Sequence, residues 1–518
     1  MLSNNSERII VKVLVKNKEI DYQQLMASKT RTYNKKKLLG QVYTPLHIVE
    51  KILKDTCFYA LDFSISKILD PACGDGRFLV PIAEYILENS PTDQLIQNLE
   101  NIYGWDIDAE AIRHCRENLD ALTASAGLVV NWNLHVQDAL EQIDQPEKFD
   151  LIVGNPPYIR IQNLPAAQRK FVQEKYSFCS SGSTDAYVAF FQLACHLLSE
   201  SGMCGFITPN SFLSSETGKP LRAHFADTKT LKQITNYRSV RIFGNTGTYA
   251  AISVFGKKPG NSFRYELSDY DFQYGSRDIS FSELNQTSQW HLSTDKASEP
   301  DGVTLGNICQ ISVGITTLSD SIFLFTIVEE KDGVVKAVNK NGHAARFEKQ
   351  ILKPIIKGSK LKTRHDPVTE YILFPYEKDE SGKHKIIPEN VLKENYPLTY
   401  KYLRKVKTEL IKRDNGKKNP VAWYAFGRAQ GLDSSFGKKI IFSPMNRFPN
   451  FVLYDNPDCA VYSGYFIKYD GEYEQLLDQL NSQRMADFIA VAGRDFQGGY
   501  KGYNKKVVEN FIITDTEK

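Results

Sequence analysis

The stretch that decides the fold is DLIVGNPPYIR, residues 150–160. Its apolar run, residues 151–153, predicts a buried strand, and the loop Asn155-Pro156-Pro157-Tyr158 follows at once. Each proline fixes its own φ, removes a backbone donor and keeps the preceding residue out of helical space. The sequence therefore predicts a strand that ends in a stiff loop, with free carbonyl acceptors beside an aromatic ring.

Strand-like and helix-like segments alternate around this stretch, from about residue 40 to about residue 255. SKILDPACG, NIYGWDID and GMCGFITPN are typical of strands and the turns that follow them, whereas RFLVPIAEYILEN, AEAIRHCRENL and TDAYVAFFQLACHLL are typical of helices. This alternation predicts an α/β fold with a doubly wound, mostly parallel sheet. The paired apolar runs in residues 239–258 predict a hairpin that closes the sheet.

The composition changes after this region. Residues 1–37 read as a short helical lead, and residues 38–258 as the α/β domain. Residues 259–300, which are rich in Ser, Asp, Gln and Gly, are expected to form a linker. Residues 301–518 mix short strand-like runs with helices and predict a second domain of α+β type.

The overall composition is that of an ordinary globular chain, with 518 residues, 42% hydrophobic residues and 24% charged residues. Neither a signal peptide nor an apolar run of roughly 20 residues is apparent, which argues against a membrane protein. The eight cysteines are scattered without metal-ligand spacing, so we expect a reduced cytoplasmic protein without a metal site.

Positive charge is concentrated in one part of the chain. The net charge is +3, but residues 51–150 sum to −11 (7 basic, 18 acidic) and residues 401–450 to +9 (12 basic, 3 acidic). The run KYLRKVKTELIKRDNGKK at 401–418 carries much of this excess. It fits a basic face directed at a polyanion, and it equally fits a solvated helix face.

Three acidic residues at predicted strand ends indicate a nucleoside site. Asp70 ends an apolar strand before the small-residue turn at 72–76, Asp106 ends the next strand, and Asp138 follows the third. A carboxylate at the second strand end is well placed to bind ribose hydroxyls, and glycines in the turn allow close backbone approach. The alternative is that the acids only cap the following helices.

The Asn-Pro-Pro-Tyr loop suits methyl transfer to an amine on a planar base. An exocyclic amine is a poor nucleophile, since its lone pair is delocalised into the ring. Carbonyl oxygens from Asn155 and the proline segment that accept both N–H bonds favour a pyramidal nitrogen with an available lone pair. Tyr158 is placed to stack on the base, so positioning and electrostatics are expected to supply the rate.

With these motifs, the chain resembles the DNA N6-adenine methyltransferases of restriction–modification systems, in the gamma order. GQVYTP (40–45), DPACGDG (70–76), GNPPY (154–158), STDAYVAFF and GFITPNSF resemble the family's successive motifs. The resemblance implies a seven-stranded Rossmann-like methyltransferase sheet with S-adenosylmethionine as cofactor. It implies cofactor contacts at Thr44, Pro45, Asp70, Ala72, Cys73, Gly74, Asp106, Ile107, Asp138, Ala139, Asn155 and Pro157.

The catalytic loop implied by the resemblance comprises Asn155, Pro156, Pro157 and Tyr158. Phe243 falls where TaqI-like members carry an aromatic residue that stacks on the flipped base; Tyr249 is a rival, and Phe243 also fits a core position. Residues 301–518 look like a TaqI-like specificity domain that binds double-stranded DNA at a short recognition sequence. Candidate phosphate-binding residues are Lys401, Arg404, Lys405, Lys407, Lys412, Arg413 and Arg428.

The resemblance further implies a prokaryotic protein, and we expect a monomer that methylates without cutting, with a separate cognate restriction endonuclease as a candidate partner. An adenine inside a duplex must be flipped out to reach such a loop. Cytosine N4 as the target, an rRNA adenine-N6 methyltransferase, a release-factor glutamine methyltransferase and a non-catalytic DNA-binding module are the alternatives. The basic region of some 200 residues after the catalytic motifs argues against a release-factor enzyme.

Overall fold

The structure, a computed structural model, describes residues 43–180, 184–238, 240–243, 249–284, 289–294 and 301–514. The helical lead predicted for residues 1–37 lies outside these residues. The chain divides into two compact units, one up to Lys296 and one from Ala297. No helix within the described ranges is both long enough and apolar enough to cross a membrane.

A single nine-stranded sheet forms the centre of the first unit. Its strands are β1 (Ile68–Asp70), β2 (Ile102–Asp106), β3 (Asn133–Val136), β4 (Phe149–Gly154), β5 (Leu198–Pro209), β6 (Leu231–Asn236), β7 (Ala250–Gly256), β8 (Ser262–Ser268) and β9 (Tyr274–Ser280). They lie in the order β3-β2-β1-β4-β5-β7-β6-β8-β9. β1 to β5 are parallel, whereas β7 is antiparallel to both of its neighbours, β5 and β6.

Helices cover both faces of this sheet. They are α1 (Leu46–Asp55), α2 (Leu79–Asn89), α3 (Leu95–Glu100), α4 (Ala109–Ala124), α5 (Ala166–Lys175), α6 (Ala186–Leu197) and α7 (Lys219–Thr228). Ile152 of β4 packs in a hydrophobic cluster with α6 and α7, whereas Leu151 and Val153 belong to a second cluster with α1, α2 and α4. Because β4 is buried on both faces, it reads as a continuous apolar run. The predicted α/β class is confirmed.

The sheet has nine strands, two more than the seven predicted. The two additional strands, β8 and β9, lie within residues 259–300, which were predicted to form a linker. In β8, Phe263 and Tyr265 are buried while Arg264 between them is exposed. A strand with one solvent-exposed face therefore has the polar composition of a linker. The closing hairpin is formed by β6 and β7, and it therefore begins at Leu231 rather than near residue 239.

The second unit combines short strands with helices. Its strands are β10 (Val303–Thr304), β11 (Cys309–Val313), β12 (Leu324–Lys331), β13 (Val334–Asn339), β14 (Ala344–Glu348), β15 (Leu352–Lys357), β16 (Glu370–Leu373), β17 (Tyr376–Lys378), β18 (His384–Ile386), β19 (Lys439–Phe442), β20 (Met445–Asn446), β21 (Phe451–Tyr454), β22 (Ala460–Tyr462), β23 (Tyr465–Tyr469), β24 (Asp495–Phe496), β25 (Tyr500–Gly502) and β26 (Ile512–Ile513). Its larger sheets have the orders β14-β13-β12-β16-β15-β22 and β11-β23-β19-β21, and β20, β25 and β24 form a small third sheet.

Eight helices of the second unit pack against these sheets or connect their strands. They are α8 (Leu305–Ile308), α9 (Asp320–Phe323), α10 (Glu389–Asn395), α11 (Pro397–Lys405), α12 (Lys407–Ile411), α13 (Tyr473–Leu480), α14 (Gln483–Ala492) and α15 (Lys505–Val508). After α12, Asp414 and Asn415 both adopt left-handed backbone conformations. The basic run at 401–418 therefore forms two short helices and a turn.

Candidate active site

The carboxyl ends of β1, β2 and β4 lie side by side at one edge of the central sheet. In the parallel register, Asp70 pairs with Gly104, and Leu69 pairs with Ile152. Asp106 is the last residue of β2. Ligands of doubly wound sheets bind outside these strand ends. The fold therefore brings the glycine turn, the second acid and the Asn-Pro-Pro-Tyr loop to one place.

Asp106 holds the glycine turn in position. One carboxylate oxygen of Asp106 accepts a hydrogen bond from the backbone N–H of Gly74 at 2.9 Å, and the other accepts one from the N–H of Asp108 at 2.9 Å. The cap of α4 is Asp108, whose side chain accepts from Glu110, so Asp106 does not cap that helix. Burial raises the pKa of Asp106 above its ordinary value, despite the backbone hydrogen bonds that lower it.

Asp70 connects the glycine turn to the Asn-Pro-Pro-Tyr loop. Its carboxylate is 1% exposed and accepts from the N–H of Ala72 at 3.0 Å. Burial raises the pKa of Asp70 to about 8. A Cβ on Gly154, whose φ is +158°, would lie 2.7 Å from an Asp70 oxygen. Position 154 therefore requires glycine, and Asp70 packs directly beneath the start of the loop.

Asp138 is the acid for which helix capping does hold. One of its oxygens accepts from the N–H of Leu140 at 3.0 Å and caps the short 3₁₀ turn Ala139–Gln142. Its other oxygen accepts from the side-chain amide of Gln168, in α5, at 2.5 Å. Nothing in the spacing of the sequence had indicated Gln168, since this contact joins residues 30 positions apart through the tertiary fold.

Asn155 and Thr44 are joined directly. The amide nitrogen of Asn155 donates a hydrogen bond to the Thr44 hydroxyl oxygen at 3.1 Å, across 111 positions of sequence. Thr44 is 4% exposed, and Pro45 immediately precedes α1, which packs against the sheet. The sequence predicted both residues for the site, Thr44 beside the cofactor and Asn155 in the catalytic loop. The structure adds the contact between them.

Tyr158 is surrounded by aromatic rings. Its hydroxyl donates to the backbone oxygen of Ile207 at 3.2 Å, and its ring meets those of Phe243 and Tyr187 edge-on, with centroids 6.2 and 6.4 Å away. Burial raises the pKa of Tyr158 well above its ordinary value, so the phenol is neutral. Phe243 is 8% exposed in the described structure, and its rival Tyr249 is partly buried.

The other residues predicted for the cofactor occupy the same turns. The backbone N–H of Cys73 donates to the backbone oxygen of Trp105 at 2.9 Å. The thiol of Cys73 is buried, and its pKa is raised, chiefly by the hydrogen bond with the Cys115 side chain. Ile107 is 62% exposed beyond the tip of β2, whereas Ala139 is buried. In the Asn-Pro-Pro-Tyr loop, Pro156 is buried and Pro157 is partly exposed.

Some of the residues predicted to bind DNA are exposed to solvent, and the others contact groups within the second unit. Lys401, Arg404, Lys405 and Lys412 are exposed along α11 and the end of α12. Lys407 stacks over the Trp423 ring at 4.7 Å.

Arg413 differs from the prediction. Its guanidinium donates to four backbone carbonyl oxygens at 2.9–3.1 Å, those of Leu410, Thr317, Trp423 and Ala425. These bonds occupy most of its donors, so Arg413 fixes loops of the second unit instead of facing a phosphate. Arg428 forms an exposed ion pair with Asp414 at 3.1 Å.

Comparison with known proteins relates the chain to restriction–modification methylases. The family model "Eco57I restriction-modification methylase" matches residues 100–243. The chain is 24% identical to the type II restriction enzyme and methyltransferase RM.Eco57I of Escherichia coli, over 90% of this chain but 56% of that protein. It is 25% identical to the type II methyltransferase M.BanIII of Aneurinibacillus aneurinilyticus, covering 93% of this chain and 91% of the relative.

A further relative is the type II methyltransferase M.BstVI of Geobacillus stearothermophilus, 25% identical over 76% of this chain and 75% of the relative. Among solved structures, the type IIL restriction–modification enzyme MmeI, in complex with DNA, shares the fold with a TM-score of 0.59 and 14% identity. That match covers 90% of this chain and 65% of the MmeI chain. The chain is thus similar over most of its length to type II restriction–modification methyltransferases, and residues 100–243 match the Eco57I methylase family model.

Proposed function

We propose that this protein transfers a methyl group from S-adenosylmethionine to the N6 amino group of an adenine in duplex DNA. The observation that carries the proposal is the Asn155–Thr44 hydrogen bond, made at the strand ends where Asp70 and Asp106 hold the glycine turn. This arrangement joins an amide acceptor for an amine to a site suited to a nucleoside.

The residues of the turn fit the proposed cofactor. Gly74 has φ +55°, and no atom lies within 4 Å of the position that its Cβ would occupy. The turn therefore leaves open space beside Asp106, whose carboxylate suits ribose hydroxyls. When bound, S-adenosylmethionine supplies an electrophilic methyl group on a sulfonium. Asp138 would accept from the adenine amino group of the cofactor, and Gln168 fixes that carboxylate from the other side.

Asn155 is proposed to bind the target amine. Because its amide nitrogen donates to Thr44, its amide oxygen points to the opposite side of the amide group. That oxygen, together with a carbonyl of the proline segment, would accept both N–H bonds of the target and leave the nitrogen lone pair directed at the methyl group. The methylated nitrogen is strongly acidic and loses its proton without a dedicated base.

Tyr158 is proposed to hold the plane of the target base. The Tyr158–Ile207 hydrogen bond fixes the ring, and base–aromatic stacking contributes about 1–3 kcal/mol per base. The base must leave the duplex to reach this ring, so the proposal includes base flipping, with Phe243 as a second aromatic contact. The second unit would bind the duplex at a short recognition sequence.

The test is methyl transfer from labelled S-adenosylmethionine to unmethylated genomic DNA, followed by nucleoside analysis and mapping of modified positions. The expected product is N6-methyladenine within one short motif. Asn155→Ala serves as the inactive variant, which should lose methyl transfer while it retains cofactor binding. Label in N4-methylcytosine, in structured RNA or in a release factor, with none in N6-methyladenine, would overturn the proposed substrate.

A further inference from the structure

The small sheet β20-β25-β24 of the second unit presents a distinctive surface. Met445 lies opposite Gly502, and Phe496 lies opposite Tyr500, in antiparallel register. Directly opposed residues share a face, and Tyr500 and Gly502 are two positions apart, so all four residues point to the same side. Lys501 and Asp495 point to the other side, where they form an ion pair.

Two arginines cover this face. The guanidinium of Arg447 lies over the Tyr500 ring at 5.0 Å, and that of Arg494 lies over the Phe496 ring at 5.4 Å. Both arginines are exposed, and neither has an acidic partner among the ion pairs of the described residues. Each guanidinium therefore retains N–H donors and a full positive charge for a further ligand.

Apolar surface on and beside the face is unusually exposed. Phe448, which follows Arg447 in the chain, has 75% of its surface exposed, and Met445 and Tyr500 are 44% and 37% exposed. Gly502, in the middle of the face, has no side chain, and the Phe496 ring packs 3.3 Å from the position that a Cβ would occupy there. We call Met445, Arg447, Phe448, Arg494, Phe496 and Tyr500 the aromatic–arginine face.

We infer that the aromatic–arginine face binds duplex DNA, with Arg447 and Arg494 on phosphates and Phe448 against bases or sugars. This inference rests on the proposed function, since DNA is the substrate proposed above. Charge complementarity carries the assignment, because two unpaired guanidiniums on one small face suit a polyanion. Exposed aromatic rings beside them add stacking or wedge contacts, which nucleic-acid-binding proteins use between base steps.

The face differs from the basic run at 401–418. That run offers exposed lysines and one arginine on helices, whereas the aromatic–arginine face combines cations with rings on a sheet. Lysines bind phosphates as flexible point charges, whereas a stacked guanidinium is held in one plane before the ligand arrives. We therefore assign orientation of the duplex to this face, with base contact through Phe448.

The experiment measures binding of the full chain to a short unmethylated DNA duplex by fluorescence anisotropy over a series of salt concentrations. Replacing both arginines (Arg447→Gln with Arg494→Gln) should raise Kd. It should also reduce the slope of log K against log salt by roughly 2, since each lost phosphate contact removes about 0.9. Phe448→Ala should raise Kd about 5- to 150-fold and leave the slope unchanged.

Matched controls are Arg364→Gln, an exposed arginine that pairs with Glu474, and Val328→Ala, an exposed apolar residue of the same unit. Both should bind duplex like the wild type. If the double arginine variant has a lower melting temperature than the wild type, Phe448→Ala decides the outcome. A side chain as exposed as that of Phe448 adds little to stability. The inference would be overturned if the folded variants bound duplex DNA with the Kd and salt slope of the wild type. It would also be overturned if the variants bound structured RNA more weakly but duplex DNA normally.

The two proposals fail differently. Wild-type protein that binds duplex through this face but methylates no DNA contradicts the proposed function alone. Protein that methylates genomic DNA while all variants of the face bind normally contradicts only the assignment of the face.

Discussion

Removing the Thr44 hydroxyl tests how Asn155, the proposed acceptor for the target amine, is held in position. Thr44→Val keeps the shape of the side chain but removes the hydroxyl oxygen that accepts from the Asn155 amide nitrogen. In the wild-type protein these two atoms are 3.1 Å apart. Thr44 is 4% exposed, so water has little access to replace the lost partner. A buried donor left without its acceptor costs about 1–3 kcal/mol. If the whole cost falls on the oriented amide in the transition state, the rate of methyl transfer drops about 5- to 150-fold.

The assay is single-turnover methyl transfer at saturating cofactor and DNA, with cofactor Kd measured separately by calorimetry. A positioning role for Thr44 predicts a slower chemical step with little change in cofactor Kd. Thr44→Ser, which retains the hydroxyl, should recover most of the rate. Thr123→Val is the control for a buried threonine, since the Thr123 hydroxyl bonds to the carbonyl oxygens of Leu119 and Asp120 in its own helix, α4.

A wild-type rate of methyl transfer by Thr44→Val would refute a positioning role for the Thr44 hydroxyl. A weakened cofactor Kd with an unchanged rate would mean that Thr44 acts only as the cofactor contact predicted from the sequence. Equal effects of Thr44→Val and Thr44→Ser would also contradict a role for the hydroxyl.

Three further outcomes are expected. Asp106→Ala should raise cofactor Kd in calorimetry, because Gly74 loses its acceptor; unchanged affinity removes Asp106 from the ribose site. Arg413→Met should lower the melting temperature but preserve the salt slope of DNA binding, whereas replacing the basic residues of 401–405 with alanine should flatten that slope without loss of stability. Wild-type protein should lose stability relative to Asp70→Asn as pH rises from about 4 to about 8. In that window the unfolded carboxyl gives up its proton while buried Asp70 keeps it; parallel urea-denaturation curves of the two proteins against pH would contradict this.

The parts of the site that follow strands were accessible to sequence analysis. LDPACG and GWDID each combine an apolar run with an acid, and a parallel sheet brings the carboxyl ends of such runs to one edge. The Asn-Pro-Pro-Tyr loop was similarly visible, since its prolines fix the backbone locally.

Features that depend on tertiary contacts could not be predicted from the sequence. Gln168 lies on a helix without any local signal, and only the packing of α5 brings it to Asp138. Arg413 sits in a basic run, so composition alone assigned it to DNA, whereas three of its four carbonyl partners, those of Thr317, Trp423 and Ala425, lie outside that run. β8 was missed because one face is polar, and alternation over only a few residues resembles linker composition.

The position of β1 in the sheet has a consequence for biosynthesis. β1 lies between β2 and β4, yet β4 begins at Phe149, some 80 residues after β1 in the chain. While the ribosome is still translating the intervening segment, β1 can pair on one side only, and its other edge offers unsatisfied backbone groups to any neighbouring strand. The emergence of β4 and the Asn-Pro-Pro-Tyr segment that follows it therefore completes the candidate site and closes the open edge of β1 in the same event.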